Sequence, residues 1–284
     1  MMARLNLGHL APAHIVAALL LAVMVLFIVG VPLLPGYDPY GQNLAFGLAD
    51  LWERSPEGQL AILGTDTLGR DVLSRMALAG RISVLISVGA VVFSLVFGVL
   101  LGLIAGYFGG ILESVIVGFA DLQLSIPRIL LLVAVTAMIG PGSWKLALLL
   151  GATSWVSYGR VARAMALSLR TREFVLSAIT QGATATWNIR THLLPNVLPQ
   201  MLIVGSYEFS QIIIIESSLS YLGLGVQPPL PSWGMMVADG QNYLALSPWL
   251  CLLPSIALIL LIAGLQILSQ AFTAEGGPAS RPTP

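Results

Sequence analysis

The side chains able to do chemistry are few and scattered. Histidine occurs at His9, His14 and His192, and cysteine only at Cys251. Nucleophilic catalysis needs a Ser or Cys within reach of an oriented base. The three histidines lie at or beyond the ends of long apolar runs, and no GxSxG stretch occurs, so no Ser/His dyad is encoded inside those runs. There is no HExxH, and no His/carboxylate set has metal-ligand spacing. A single cysteine excludes an internal disulfide and a multi-cysteine metal site, and Cys251, in an apolar run, reads as a small core residue. A phosphate-cradling GxxxxGK[ST] is also missing: the only lysine, Lys145, follows Trp144. The chain is read as non-catalytic, with no cofactor or metal of its own.

Polar groups of another kind remain. Asp121, Arg128, Glu208 and Glu216 stand inside or at the ends of apolar runs, where ionisable groups look into a bundle and find partners. Asp121 and Arg128, seven positions apart, fall on one face of a continuous helix. Arg160, Arg163, Arg170, Arg172 and Arg190 crowd one connection with Glu173 as its acid.

The elements that position these groups follow from composition. The chain has 284 residues, 57% hydrophobic and 9% charged, and its mean hydropathy is +0.89. Soluble domains carry about 25% charged residues, so this surface must face lipid. Zero net charge leaves no case for a basic, nucleic-acid-binding surface. The fold class expected is an all-α integral membrane protein.

A crossing needs about 20 mostly apolar residues. Six runs qualify: 14–34, 82–107, 114–139, 145–165, 197–221 and 248–272. The first reads as an uncleaved anchor rather than a signal peptide, because its apolar core is long and no small-x-small site follows. The third contains Pro127 beside Arg128, which is expected to kink it. Arginines between the fourth and fifth runs favour placing the 166–196 connection in the cytoplasm by the positive-inside rule. Both termini, 1–14 and the Gly/Pro/Ala-rich tail 273–284, then share that side, and 35–81 faces outward. The four arginines of 38–81 argue mildly against this orientation. Gly98, Gly102 and Gly106 form a stripe read as tight helix packing in preference to a dimerisation motif.

The 166–196 connection carries REFVLSAITQGATATWNIRTHLLPN, Arg172 to Asn196. Glu173–Gln181 reads as a short helix that Gly182 ends in a left-handed conformation. Thr184 is placed to cap a second helix towards His192, and Pro195 is expected to break that helix and turn the chain into the next span. Such an elbow suits docking to a soluble partner. An ordinary basic loop at lipid headgroups fits the residues equally well.

This segment resembles the Glu-Ala-Ala loop of ATP-binding-cassette (ABC) import permeases. In the peptide-permease branch that loop typically reads REYVEAAxxxGAS…RHILPN, and Arg172, Glu173, Phe174, Val175, Ala178, Gly182, Ala183, His192, Leu194, Pro195 and Asn196 stand at the corresponding places, with Phe174 where the pattern has Tyr. LGTDTLGRDVLSR, Leu63 to Arg75, is similar to the hallmark after span one of the C-type subunits of dipeptide and oligopeptide permeases, a group that also includes nickel permeases. SLSYLGLGVQPPLPSWG, Ser218 to Gly234, resembles their signature between spans five and six. The likeness runs from about residue 60 to 270.

The resemblance implies a type I ABC importer permease fold with six transmembrane helices in the bacterial inner membrane. It also implies partners: a second homologous permease subunit, two cytoplasmic ATPases that bind ATP and Mg, and a periplasmic or lipid-anchored substrate-binding protein. The elbow would couple to the ATPases. Two departures bear on this: Leu176 and Ser177 replace the first Glu and Ala of the triplet, and Gln266–Phe272 lacks the family's charged ending. Asp121, Arg128 and Glu216 are expected to be structural, gating or pathway groups. Asp66 is expected to cap a helix from about Thr67, with Asp71 pairing with Arg75. Pro228, Pro229, Pro231 and Trp233 suggest a stiff outer loop. Di- or oligopeptides are the expected substrate. Nickel or a metal chelate is the alternative within the family, a self-sufficient ion-coupled carrier the alternative outside it, and a structural scaffold the weakest.

Overall fold

A computed structural model of the chain describes residues 12–56, 58 and 60–276, with side chains through 270. The expectations for His9 and for the tail beyond residue 276 lie outside the described residues. The apolar runs form helices: α1 (Pro12–Gly30), α2 (Val72–Phe108), α3 (Gly110–Leu124), α4 (Arg128–Ile139), α5 (Ser143–Leu169), α6 (Glu173–Thr180), α7 (Ala185–Asn188), α8 (Leu194–Tyr221), α9 (Trp233–Gln241) and α10 (Trp249–Gly276). The sole sheet among the described residues pairs β1 (Glu53–Arg54) with β2 (Leu60–Ala61) antiparallel. The chain divides into two compact units, Met1–Arg81 with Pro231–Pro284, and Ile82–Leu230.

Four helical runs among the described residues are long and apolar enough to cross a membrane: Pro12–Leu33, Val72–Phe108, Ala185–Tyr221 and Trp249–Gln270. The expected third span is a bent pair, α3 and α4, meeting at 87°; counted as one crossing it makes five. The expected fourth lies inside α5, a 27-residue helix that carries Lys145, Arg160 and Arg163 and is not among the apolar set. The bend has a local cause. Pro127 lacks an N–H and pushes Ile126 out of helical geometry, and the Ser125 hydroxyl donates back to the Leu122 carbonyl at 2.7 Å.

In the first unit, α1 packs along α10, where the Cα of Gly264 faces Leu20 and Leu21. The Leu63–Arg75 segment is a polar knot. Asp66 accepts from the amides of Leu68 and Arg70 and from Arg70 Nε at 2.7 Å, and Arg75 Nε lies 3.4 Å away. The expected cap is therefore displaced: Asp71, not Asp66, accepts from the Ser74 amide at 2.8 Å, and α2 begins at Val72. Asp66 is already held by its own turn, which leaves Arg75 to it and Asp71 to the helix. Ser232 caps α9 by accepting from the Met235 amide, and the buried Trp233 donates from Nε1 to the Met76 carbonyl at 3.0 Å.

In the second unit, α2 lies against α5 along the glycine stripe. A Cβ at Gly98 would stand 2.8 Å from Tyr158 Cβ, and one at Gly102 would stand 2.8 Å from Ala162 Cβ. The stripe thus packs within the chain, where small residues let backbones approach. Two apolar clusters flank it. One gathers Ile86, Leu132, Leu146, Leu150, Ile212 and Leu219. The other gathers Leu103, Tyr158, Ala162, Val175, Leu193 and Met201.

Candidate functional site

The second cluster contains Val175 and Leu193, which belong to the elbow. Both are fully buried, so α6 and the end of the α7 segment are anchored to α2, α5 and α8. Arg170 extends the anchorage by donating from Nη1 to the Gly106 carbonyl at 3.0 Å, placing a cation on the unpaired carbonyls at the end of α2. Asn188, also buried, donates to the Tyr107 hydroxyl at 3.3 Å.

α6 ends in a two-bond Schellman turn: the Ala183 amide donates to Ala178 O and the Gly182 amide to Ile179 O, each at 3.0 Å. Gly182 has φ +88°, a conformation that disfavours any Cβ. Thr184 then accepts from the Trp187 amide at 3.3 Å and starts α7. The expected break at Pro195 is absent. α7 runs into a π-turn over Ile189–Leu193 and on into α8, giving one helical path over Ala185–Tyr221. The wider π-turn puts the Leu194 amide onto Ile189 O, leaving room for a proline whose ring clashes in a regular helix interior.

With Val175 turned inward, Phe174, Leu176 and Ile179 are exposed on α6, and Trp187 on α7. His192 lies edge-on to both aromatics, 5.3 Å from the Phe174 ring and 5.0 Å from the Trp187 ring. Arg172, Glu173 and Gly182 are exposed, Ala178, Ala183, His192 and Leu194 half-buried, and Pro195 exposed. The result is an apolar patch with a polar rim on a rigid base.

Asp121 and Arg128 do not share a face, because the α3–α4 bend lies between them. Asp121 pairs with Arg160 of α5 at 2.7 Å, both side chains more than half exposed. Glu113 takes Arg163 Nε at 2.7 Å, so α3 is tied to α5 by two ion pairs. These pairs border a cleft of about 350 Å³ lined by Gly102, Ala105, Ile116, Trp155 and Gly159. Arg128 turns instead to α5 and α8. It donates to Ser154 Oγ and, at 3.3 Å, to Thr153 Oγ1, with Glu208 at 4.0 Å. Glu216 is fully buried and paired with neither arginine nor backbone: Ser220 donates to it at 2.8 Å and Ser217 at 3.3 Å. The expected kink at Pro127 is present as the 87° bend, whereas the Arg128–Glu208 proximity has no signal in the sequence, since the two residues lie on separate helices.

Comparison with known proteins agrees with this architecture. Residues 98–274 match the family described as binding-protein-dependent transport system inner membrane component. The oligopeptide transport system permease protein OppC of Escherichia coli K12 is 36% identical over 86% of this chain and 79% of that protein. OppC of Haemophilus influenzae is 34% identical over 69% of this chain, which spans 63% of that protein. The probable D,D-dipeptide transport system permease protein DdpC of E. coli K12 is 32% identical over 90% and 84%. In fold, the chain is similar to the inward-facing methionine ABC transporter MetNI, with TM-score 0.55, 18% identity, and coverage of 72% of this chain and 98% of that one. The matched family, the apolar helices and the shared fold make this a multi-pass inner-membrane protein. The chain belongs to the family of binding-protein-dependent transport system inner membrane components.

Proposed function

We propose that the chain is a permease subunit of an ATP-driven importer of di- or oligopeptides, working with a second permease subunit around one pathway. Peptide cargo is supported by the names of the relatives, oligopeptide and dipeptide permeases. ATP is hydrolysed by two partner ATPases, and the substrate is delivered by a binding protein on the outer face. In this reading the 166–196 connection and both termini are cytoplasmic, and 35–81 is periplasmic.

The observation that carries the proposal is the elbow: an exposed patch of Phe174, Leu176, Ile179 and Trp187 over the buried anchors Val175 and Leu193. A patch on a base locked to α2, α5 and α8 can pass a displacement to the spans. Leu176, where the family has Glu, makes this surface more apolar. ATP shifts the complex only by binding one of its conformations more tightly.

The test is peptide uptake by the reconstituted complex carrying Gly182→Pro. Proline fixes φ near −65° where the chain needs +88°, so the elbow is displaced. Uptake is expected to fall while ATP hydrolysis by the assembled complex persists. Uptake that stays coupled to hydrolysis overturns the proposal. Uptake that survives removal of the ATPases and collapses with the proton gradient assigns an ion-coupled carrier instead.

A further inference from the structure

Arg128 is the first residue of α4, directly after the bend. A cation at a helix N-terminus faces the positive end of the dipole, so its position is set by side-chain partners. In this structure those partners are the neutral hydroxyls of Thr153 and Ser154 on α5. Its counter-charge, Glu208 on α8, waits just outside hydrogen-bond range at 4.0 Å. Glu208 is 4% exposed, and its Oε2 has no donor within hydrogen-bond distance. A buried carboxylate oxygen left so is costly.

The hydroxyls do not depend on Arg128. Thr153 Oγ1 donates to the Leu149 carbonyl at 3.0 Å and Ser154 Oγ to the Leu150 carbonyl at 2.7 Å. If the guanidinium leaves, both remain satisfied; if it moves about 1 Å towards Glu208, the orphaned oxygen gains a charge-assisted bond. Two discrete arrangements are thus available at a bend, with small motion between them. Glu208 also sits on the helix that begins in the elbow, sixteen residues beyond His192, or about 24 Å along a helical path.

We propose that Arg128 is a two-position coupling residue. It is held by Thr153 and Ser154 of α5 in one conformation and by Glu208 of α8 in the other, so that displacement of the elbow along α8 is converted into movement of α4 about the Ser125–Pro127 bend. This rests on the importer reading above and adds to it the internal contact that changes hands.

The experiment uses the full complex in lipid vesicles, with Cys251→Ser and spin labels at Met138→Cys on α4 and Leu202→Cys on α8, both highly exposed sites. Distances are read with and without a trapped ATP analogue. The unsubstituted switch is expected to give two populations whose ratio changes with nucleotide. Glu208→Gln is expected to move that ratio about tenfold towards the hydroxyl-held state, and Ser154→Ala to move it in the opposite direction. Glu208→Gln should also lower uptake about tenfold while ATP hydrolysis persists. A purely structural ion pair would shift both variants the same way or neither; either result, or unchanged uptake in Glu208→Gln, overturns the proposal. If the complex with native Glu208 and Ser154 shows no ATP-dependent uptake, the importer reading fails, while opposed shifts in the two variants still register the switch.

Discussion

The indole nitrogen of Trp233 donates to the main-chain carbonyl of Met76 at 3.0 Å, joining residues 157 positions apart. Each belongs to or adjoins a motif that marks the sequence: Leu63–Arg75 runs into α2, and Ser218–Gly234 ends on the first turn of α9. The motifs thus act in part as two halves of one packing contact. Trp233 is fully buried, and the Cα of Gly80 lies directly against its ring.

Trp233→Ala should therefore destabilise the protein by about 3–5 kcal/mol. Trp233→Phe, which keeps most of the apolar volume but loses the donor, should cost less, about 1–3 kcal/mol. The midpoint of thermal unfolding in detergent checks the order of the two. Equal midpoints for Trp233→Phe and the parent chain would assign the indole bond no role.

The glycine stripe permits a second test. Gly102→Leu places a side chain where even a Cβ would stand 2.8 Å from Ala162 Cβ, so α2 and α5 must separate. Overpacking of this kind costs about 1–3 kcal/mol, and the yield of monodisperse protein should fall. Gly118→Leu on α3, where nothing lies within 4 Å, is the control and should behave as the parent.

Neighbouring residues of α6 should separate stability from partner binding. Val175 is fully buried in the α2–α5–α8 cluster, and Val175→Ala should lower the unfolding midpoint, at a cost of about 1–3 kcal/mol. Leu176, 49% exposed, should leave the midpoint unchanged when made Ala, yet reduce ATPase copurification. A Leu176→Ala protein that retains its full complement of ATPase would remove this face from the docking surface.

Asp239 of α9 gives a pH dependence. Burial pushes its carboxyl above the usual 3.8; Arg75 and Arg70 oppose the shift, and Asp66 adds to it. The folded state therefore binds the proton more tightly than the unfolded state. The resulting stabilisation is present below the ordinary value and is lost as pH rises through the raised one. Asp239→Asn should abolish that segment of a midpoint-versus-pH curve, leaving the parent less favoured on its alkaline side.

Much of the elbow was legible because its determinants are local. Gly182 must be left-handed, Thr184 has a hydroxyl to cap with, and Glu173 opens a helix at the end that favours an acid. The Asp66 cap misled for the same reason that local signals usually work: Asp66 and Asp71 are both competent, and which one caps α2 depends on where Arg70 and Arg75 go. The Asp121–Arg128 face failed because helical periodicity holds only while the helix continues, and Pro127 ends it. Pro195 was misread in the opposite sense, since a π-turn can absorb a proline that a regular helix cannot.

The sequence by itself determined the solvent and the secondary structure. So few charges among so many apolar residues leave lipid as the surrounding medium, and continuous apolar runs of about 20 residues satisfy their own backbone there as helices. It also carried three ordered motifs specific enough to identify the family. Only the tertiary structure decided which polar groups meet: Trp233 with Met76, Asp121 with Arg160, Glu216 with Ser217 and Ser220, and Arg128 poised between hydroxyls and Glu208. Apart from the Glu216 contacts, which stay within α8, those pairings join residues far apart in the chain and are fixed by helix packing, which a pattern of neighbouring residues does not contain.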